Sequence, residues 1–240
     1  MWDKPHLLRQ FSSALFGISL VLMLYGALYY ALHLPVFPLR VLQLSDAPRH
    51  VDVAQVEAVV RNELRGNFFT ADLESVRVAF EKLPWVRKVS IRRHFPWQLE
   101  VSLEEHVALA HWNGTGLVNT YGEVFASEAK QELPNFIGQR ENAAEVAQMY
   151  AEFGKQLSPL RLEIAQISLS PRRAWQLRLR NGMVLELGRE QSQQRLARFV
   201  AVYPYSLATM QRKVNYVDLR YRNGFAAYFP GGLNAVEGNG

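Results

Sequence analysis

Residue types able to do chemistry are few in this chain, and they are scattered. Among the six histidines, His106 and His111, five positions apart and beside Glu104 and Glu105, form the one cluster with any metal-binding character. On a strand, positions 106 and 111 project to opposite faces, and so do 104 and 105. That spacing argues against a shared metal ion and against paired carboxylates doing acid–base work. The histidines read as surface or loop residues. No G-x-S-x-G elbow, phosphate loop or H-E-x-x-H is present. The chain has no cysteine, which excludes a disulfide framework, a thiolate zinc site and a cysteine nucleophile. Asn113-Gly114-Thr115 has the form of a glycosylation acceptor, but it reads more simply as a turn. The expectation is a protein that is not an enzyme and carries no metal, cofactor or small-molecule substrate.

One charged cluster remains: Arg87, Lys88, Arg92 and Arg93, with Arg40 and Arg49 nearby and Trp85, Phe95 and Trp97 interleaved. Aromatics among arginines suit single-stranded nucleic acid, and a formal charge of +5 favours anionic partners in general. The membrane orientation argued next places this cluster outside the cell. A solvated face is then the simplest reading, anionic headgroups or an acidic partner surface the next, and nucleic acid the last. Trp85 and Val86 read as packing at a helix–strand junction.

These residues are carried by a chain of 240 residues, 49% hydrophobic, with room for about two domains. Residues 14–34 contain no charge and are apolar on every side. At about 1.5 Å per residue they span roughly 30 Å, the thickness of a bilayer's hydrocarbon core. Tyr25, Tyr29 and Tyr30 stand toward the far end, where amphipathic rings favour the interface. A cleaved signal peptide would have a shorter apolar core and a small-x-small site, and the residues around Ala31 and His33 make a poor one. Lys4 and Arg9 precede the helix with only Asp3 against them, so residues 1–13 are expected in the cytoplasm and the bulk outside.

Beyond the membrane segment, Pro35 and Pro38 stop the helix and an extended stretch runs from Leu39 to Leu44. Asp52 with Gln55 three positions on has the form of a capping box before a helix bearing Val53, Val56, Val60 and Leu64. A second helix starts near Asp72 and ends at Pro84, with Leu73, Val76, Phe80 and Leu83 inward. Strands follow at 86–93 and 98–104, joined through His94-Phe95-Pro96-Trp97. The order strand, helix, helix, strand, strand predicts a small sheet with two helices on one face.

From 107 to 230 the pattern is mostly strand, at 107–112, 117–120, 164–170, 175–180, 183–187, 214–221 and 225–229. Helical stretches lie at 142–157 and 191–203. Asn181-Gly182 and Asn223-Gly224 are hairpin signals. Residues 231–240 are polar and glycine-rich and are expected to be disordered. The whole is therefore α+β: one transmembrane helix, a β-α-α-β-β domain over 37–106, and a mostly antiparallel β domain with helices over 107–230. Its last strand is expected to be an open edge, able to accept a partner's strand. Tyr221, Phe225, Tyr228 and Phe229 are the candidate aromatic anchors there, half of which alternation turns inward.

Several strings carry a family resemblance. They are Leu83-Pro84-Trp85-Val86, Arg92-Arg93-x-Phe95-Pro96-x-x-Leu99-x-Val101-x-Leu103-x-Glu105, Ala110-x-Trp112, Leu117-Val118-Asn119 and Gly122-x-Val124-Phe125. Further on come Arg172-Arg173-x-Trp175-Gln176-Leu177, Leu187-Gly188-Arg189, Arg195-Leu196-Ala197-Arg198-Phe199-Val200 and Tyr216-Val217-Asp218-Leu219-Arg220-Tyr221. In this order, behind a membrane segment, they resemble the FtsQ/DivIB cell-division family, in its Gram-negative FtsQ branch, whose first ectodomain is a POTRA domain.

The resemblance implies a non-enzymatic divisome scaffold of the inner membrane, at the division septum. Such a scaffold binds the periplasmic parts of FtsB and FtsL, links early and late division proteins, and so controls septal peptidoglycan synthesis. It implies partner-binding residues at Tyr221, Asn223, Gly224 and Phe229, with Arg172 as a supporting contact from a neighbouring strand; Phe225 joins these candidates from the edge-strand reading. The family commonly has serine where Asn223 stands and tryptophan near Phe229. It links the POTRA region to septal recruitment. An outer-membrane assembly or secretion factor, which also carries POTRA domains, would need a cleaved signal and a following barrel, and the helices at 142–157 and 191–203 argue against one. A cell-wall enzyme would need a nucleophile or metal set.

Overall fold

The computed structural model describes residues 5–34, 41–44, 48–95, 97–210, 213–222 and 224–229. Pro35, Pro38, Pro96, Asn223 and the tail at 231–240 lie outside the described residues. Contacts divide the chain into two units, one ending at Glu105 and one starting at His106.

In the first unit, helix α1 (Pro5–His33) is 29 residues long. Its stretch Arg9–His33 is long and apolar enough to cross a membrane, and no residue in its apolar window is buried against protein. Phe16, Leu20, Met23, Tyr25 and Leu28 are all exposed. A helix with an all-round apolar surface and no protein cover has the bilayer as its natural solvent.

Strand β1 (Val41–Leu44), helices α2 (Val53–Glu63) and α3 (Leu73–Glu81), and strands β2 (Val86–His94) and β3 (Gln98–Glu105) complete this unit. The sheet order is β1-β3-β2, with β1 parallel to β3 and β2 antiparallel to it. Both expected helix starts hold. Asp52 caps α2 in a full capping box with Gln55, and the Asp72 carboxylate accepts the amides of Glu74 and Ser75. Val56 from α2, Val76 and Phe80 from α3, and Val86, Val89 and Val101 from the sheet form the core.

Glu105, the last residue of β3, ties the sheet to the start of α2. Its carboxylate accepts the backbone N–H groups of His50 (2.9 Å), Val51 (3.1 Å) and Arg49 (3.1 Å), and the His50 ring at 3.2 Å. Burial pushes its pKa up, but these hydrogen bonds to the charged form win and hold it below the usual range. The His50 ring also stacks on Trp85, with centroids 3.9 Å apart. Glu104 instead pairs with Arg87 at 2.6 Å.

The second unit is built on one sheet of nine strands in the order β12-β11-β10-β9-β8-β7-β4-β5-β6. These are β4 (Ala108–Trp112), β5 (Gly116–Asn119), β6 (Val124–Phe125), β7 (Asn135–Ile137), β8 (Ile164–Leu169), β9 (Trp175–Leu179), β10 (Val184–Gly188), β11 (Tyr216–Asp218) and β12 (Ala226–Tyr228). Five neighbouring pairs are antiparallel; β4–β7, β7–β8 and β10–β11 are parallel. Helices α4 (Ala143–Leu157) and α5 (Ser192–Val202) pack on the sheet. Val146, Phe153 and Leu157 of α4 and Leu196 and Phe199 of α5 are fully buried against Leu177, Leu185 and Leu187. The α+β architecture read from the sequence is the one observed.

Two strands, β6 and β7, escape the sequence pattern because two or three residues are too few to show a period. The turn read at Asn113-Gly114-Thr115 joins β4 to β5. Asn113 and Gly114 both have positive φ (49° and 73°) and Thr115 N–H bonds back to Trp112 O, a type I′ hairpin turn. Gly122 (φ 79°) lies so close under α4 that a Cβ there would stand 2.3 Å from Ala144 Cα. His106 sits in the loop before β4, not on a strand; it stacks on Phe125 and accepts a hydrogen bond from the Asn119 amide.

Glu105→Ala would leave three backbone donors without their acceptor. It is expected to lower stability by about 1–3 kcal/mol, read from the shift in thermal or denaturant midpoint. Amides 49–51 should also exchange faster with deuterium.

Candidate functional site

The candidate site follows from where β12 falls in the sheet. It pairs antiparallel with β11 (Tyr216↔Tyr228, Val217↔Ala227, Asp218↔Ala226) and no described strand lies on its other side. An edge strand turns half of its backbone N–H and C=O groups outward. Both final strands are shorter than the sequence pattern implied, and the cause of the early stop in β11 is local. The Asp218 side chain accepts the backbone N–H of Arg220 at 3.0 Å, folding residues 218–220 into an Asx turn, while Leu219 N–H bonds Glu186 O at 2.9 Å.

That turn is locked by charge. The Arg220 guanidinium donates from Nε to Asp218 Oδ1 (2.9 Å) and from Nη2 to Oδ2 (2.7 Å). The hydrogen bond from the Arg220 side chain holds the Asp218 carboxyl below its ordinary range, against the opposing effect of burial. The connection 219–225 is also held from α5, where the Arg198 guanidinium donates to the Arg222 carbonyl. Phe225 turns its ring onto Phe199 of α5, with centroids 6.0 Å apart and the planes at 70°.

Between α5 and this connection lies a mainly apolar cleft of about 280 Å³, lined among others by Arg198, Phe199, Val202, Leu219, Gly224 and Phe225. A second, open depression runs over Tyr221, Arg222, Gly224, Phe225 and Ala226. The two adjoin at Gly224 and Phe225, beside the open backbone edge.

The sequence-derived site residues differ in where they fall. Tyr221 is 58% exposed and Tyr228 is 63% exposed, so both present rings to solvent at the edge. Phe225 and Phe229 are half-buried and pack against the core. Gly224 is exposed, with nothing within 4 Å of where a Cβ would stand. Asn223 lies outside the described residues. Arg172 departs from its expected placement. It is exposed in the turn between β8 and β9, not on a strand beside β12, and β10 and β11 intervene. At about 4.8 Å per strand, β9 is roughly 14 Å from β12. The turn does share an end of the sheet with 219–225, because Trp175 faces Gly188 and β10 runs parallel to β11.

The profile described as "Cell division protein FtsQ/DivIB, C-terminal" matches residues 110–220, and that of "POTRA domain, FtsQ-type" matches residues 37–106. A curated relative from Nitrosospira multiformis, named "Cell division protein FtsQ", is 44% identical over 95% of this chain and 98% of its own length. Proteins of the same name from Burkholderia pseudomallei and Bordetella pertussis are 39% and 32% identical, each over 94% of this chain and over 93% and 92% of their own lengths. The chain belongs to the FtsQ/DivIB family of cell-division proteins.

The FtsQ/DivIB profile ends at Arg220, so Tyr221, Gly224, Phe225 and Phe229 stand just past it. Inside it, motif pieces distant in sequence meet at this end of the sheet. Gly188 has φ 72°, and a Cβ there would stand 2.8 Å from Arg195 Nη1, which donates to Leu187 O at 2.7 Å. Arg195 and Arg198, three apart on one face of α5, thus hold the end of β10 and the 219–225 connection. Sequence reasoning did not assign them to the site; their shared helical face was the available signal. The Glu104, Glu105 and His106 neighbourhood resolves into the separate structural contacts already described, and His111 lies on β4. Among the described residues no group of three metal-ligating side chains occurs.

Asp218 has a folded pKa below its unfolded value of about 3.9. Its stabilisation is therefore fully present above about pH 4 and is lost as pH falls through the folded value. Asp218→Asn keeps an acceptor for the Arg220 N–H but removes the charge. This variant is expected to melt below the parent at neutral pH and to converge with it in acid, in paired thermal scans.

Proposed function

We propose that the chain is a non-enzymatic, single-pass scaffold of the inner membrane. Residues 1–13 face the cytoplasm, 14–34 cross the bilayer, and the POTRA domain (37–106) and β domain (107–230) occupy the periplasm at the division septum. There the β12 edge and the 219–229 segment capture the periplasmic parts of FtsB and FtsL and position them where septal peptidoglycan synthesis is controlled. Membership of a cell-division family supports the setting, and the apolar, uncovered helix α1 supports the anchor.

The observation that carries the binding role is the open side of β12 combined with exposed Tyr221 and Tyr228 and an adjoining apolar cleft. A partner strand laid along β12 would gain main-chain hydrogen bonds, and a helix ahead of or behind it would find the cleft beside α5. Tyr221 and Tyr228 are the aromatic anchors. Phe225 and Phe229 shape the floor, with Asn223 and Gly224 in the stretch between Tyr221 and Phe225 and Arg172 as a more distant charged contact at the same end of the sheet.

Tyr221→Ala and Tyr228→Ala are each expected to weaken co-purification of the full chain with FtsB and FtsL by about 1–3 kcal/mol in binding free energy, with folding unchanged. Unaltered affinity in both would move the site elsewhere. Proline tests the strand pairing directly, because successive N–H groups on a strand point to opposite sides and proline removes one. Of Ala226→Pro and Ala227→Pro, the variant that loses an outward donor should keep its melting profile and lose the partner. The one that loses an inward donor should loosen the hairpin itself.

A further inference from the structure

Helix α1 is followed after Leu34 by six residues before β1 begins at Val41, so the end of the helix and the start of β1 are at most about 25 Å apart. Strand β1 runs parallel to β3 and starts opposite Gln98, and Gln98 faces His94 where the β2–β3 hairpin closes. Topology alone therefore brings the tip of that hairpin to the end of the POTRA sheet at which α1 arrives. A side-chain contact fixes the same end more closely. The Asn67 amide nitrogen, in the α2–α3 connection, donates to Leu32 O (2.6 Å) and Leu34 O (3.1 Å), two of the carbonyls a helix end leaves unpaired. Its oxygen accepts the N–H groups of Phe69 and Thr70, each at 3.0 Å, so the buried Asn67 clips the connection to the end of α1.

This end carries the most exposed large hydrophobic side chain among the described residues of the POTRA domain. Phe95 at the hairpin tip is 75% exposed, and Phe69 and Trp97 are each 41% exposed. Buried Phe68 holds two of them together, its ring set edge-on to Phe69 (5.2 Å) and to Phe95 (6.1 Å). Arg93 braces the hairpin against the connection by donating to Ala71 O at 2.8 Å, and Arg65 is exposed two residues before Asn67. Aromatic rings flanked by guanidinium groups, held beside the mouth of a membrane helix, match the chemistry of a phospholipid interface. Rings favour the boundary between headgroups and acyl chains, and arginine pairs with phosphate.

We propose that Phe69, Phe95 and Trp97, with Arg65 and Arg93, form a lipid-docking patch that sets the tip of the POTRA sheet into the headgroup layer of the bilayer holding α1. The inference rests on the reading of α1 as a membrane anchor and adds to it a second, peripheral contact. The POTRA domain then stands on the membrane at a set height and tilt, instead of swinging from a single tether. The contact is lipid in kind; a protein seated on the same rings is the alternative that the test separates.

The chain lacks cysteine, so single spin labels can be placed without background. The full chain is reconstituted in vesicles of phosphatidylethanolamine and phosphatidylglycerol with a nitroxide at Gln98→Cys, beside the rings, at Lys88→Cys, toward the other end of the sheet, or at Leu20→Cys within α1. Power saturation with oxygen and a water-soluble nickel chelate reads the depth of each. The oxygen-to-nickel accessibility ratio at position 98 is expected to be several-fold above that at 88, and to fall to the level of 88 when Phe95→Ser and Trp97→Ser are added. Equal ratios at 98 and 88 with position 20 deep in lipid would overturn the docking patch and leave the anchor standing. Shielding of position 98 from both reagents would identify a protein contact and overturn it too. Nickel access at position 20 would remove the anchor and the patch together.

Discussion

A strand at the end of a sheet leaves half of its main-chain groups unpaired, and the carboxyl-terminal half of this protein is arranged around that constraint. Nine strands in one sheet leave two edges, β6 and β12. At β12 the neighbouring structure keeps the edge presentable. The Asx turn at Asp218 stops β11 early, the Arg220 guanidinium locks that turn, and Arg198 holds the Arg222 carbonyl. The two half-buried phenylalanines keep the short hairpin on the core, and the tyrosines stay outside. The aromatics of this one segment are thus divided between core and solvent.

The placement of α5 follows from the same sheet. Strands β10 and β11 are adjacent and parallel, and parallel neighbours require a crossover over one face. Helix α5 is that crossover, which is why a cleft between helix and connection forms beside the edge and why Arg195 and Arg198 reach it. The first unit repeats the device in smaller form, with α2 and α3 carried between β1 and the β2–β3 hairpin. Its parallel β1–β3 pairing also decides which end of the POTRA sheet meets the end of α1.

The charged residues act mostly as fasteners. Glu105 gathers three amides ahead of α2, Asp218 holds a turn, Arg195 closes the end of β10, and Arg93 joins a hairpin to a loop. Each joins pieces of chain that hydrophobic burial alone would leave free to slide, because a hydrogen bond to a charged group has a preferred direction and burial has none. The strings that carried the family resemblance include these fasteners, Arg93, Glu105, Arg195 and Asp218 among them.

What the sequence determined by itself was everything with a local period or a local cap. The uncharged run marked α1, Asp52 with Gln55 and Asp72 marked the starts of α2 and α3, and alternation marked most strands. Paired positive-φ residues at Asn113 and Gly114 made the β4–β5 turn. Tertiary structure decided the strand order, the short strands β6 and β7, the place of Arg172 in a turn well away from β12, and which aromatics at the edge face water. It also brought Asn67 to the end of α1. The physical reason is common to all of these. Caps and periods are fixed by residues within one helical turn or one strand of each other, whereas pairing partners and edges are fixed by backbone bonds between segments far apart in the chain, and a side-chain pattern does not record them.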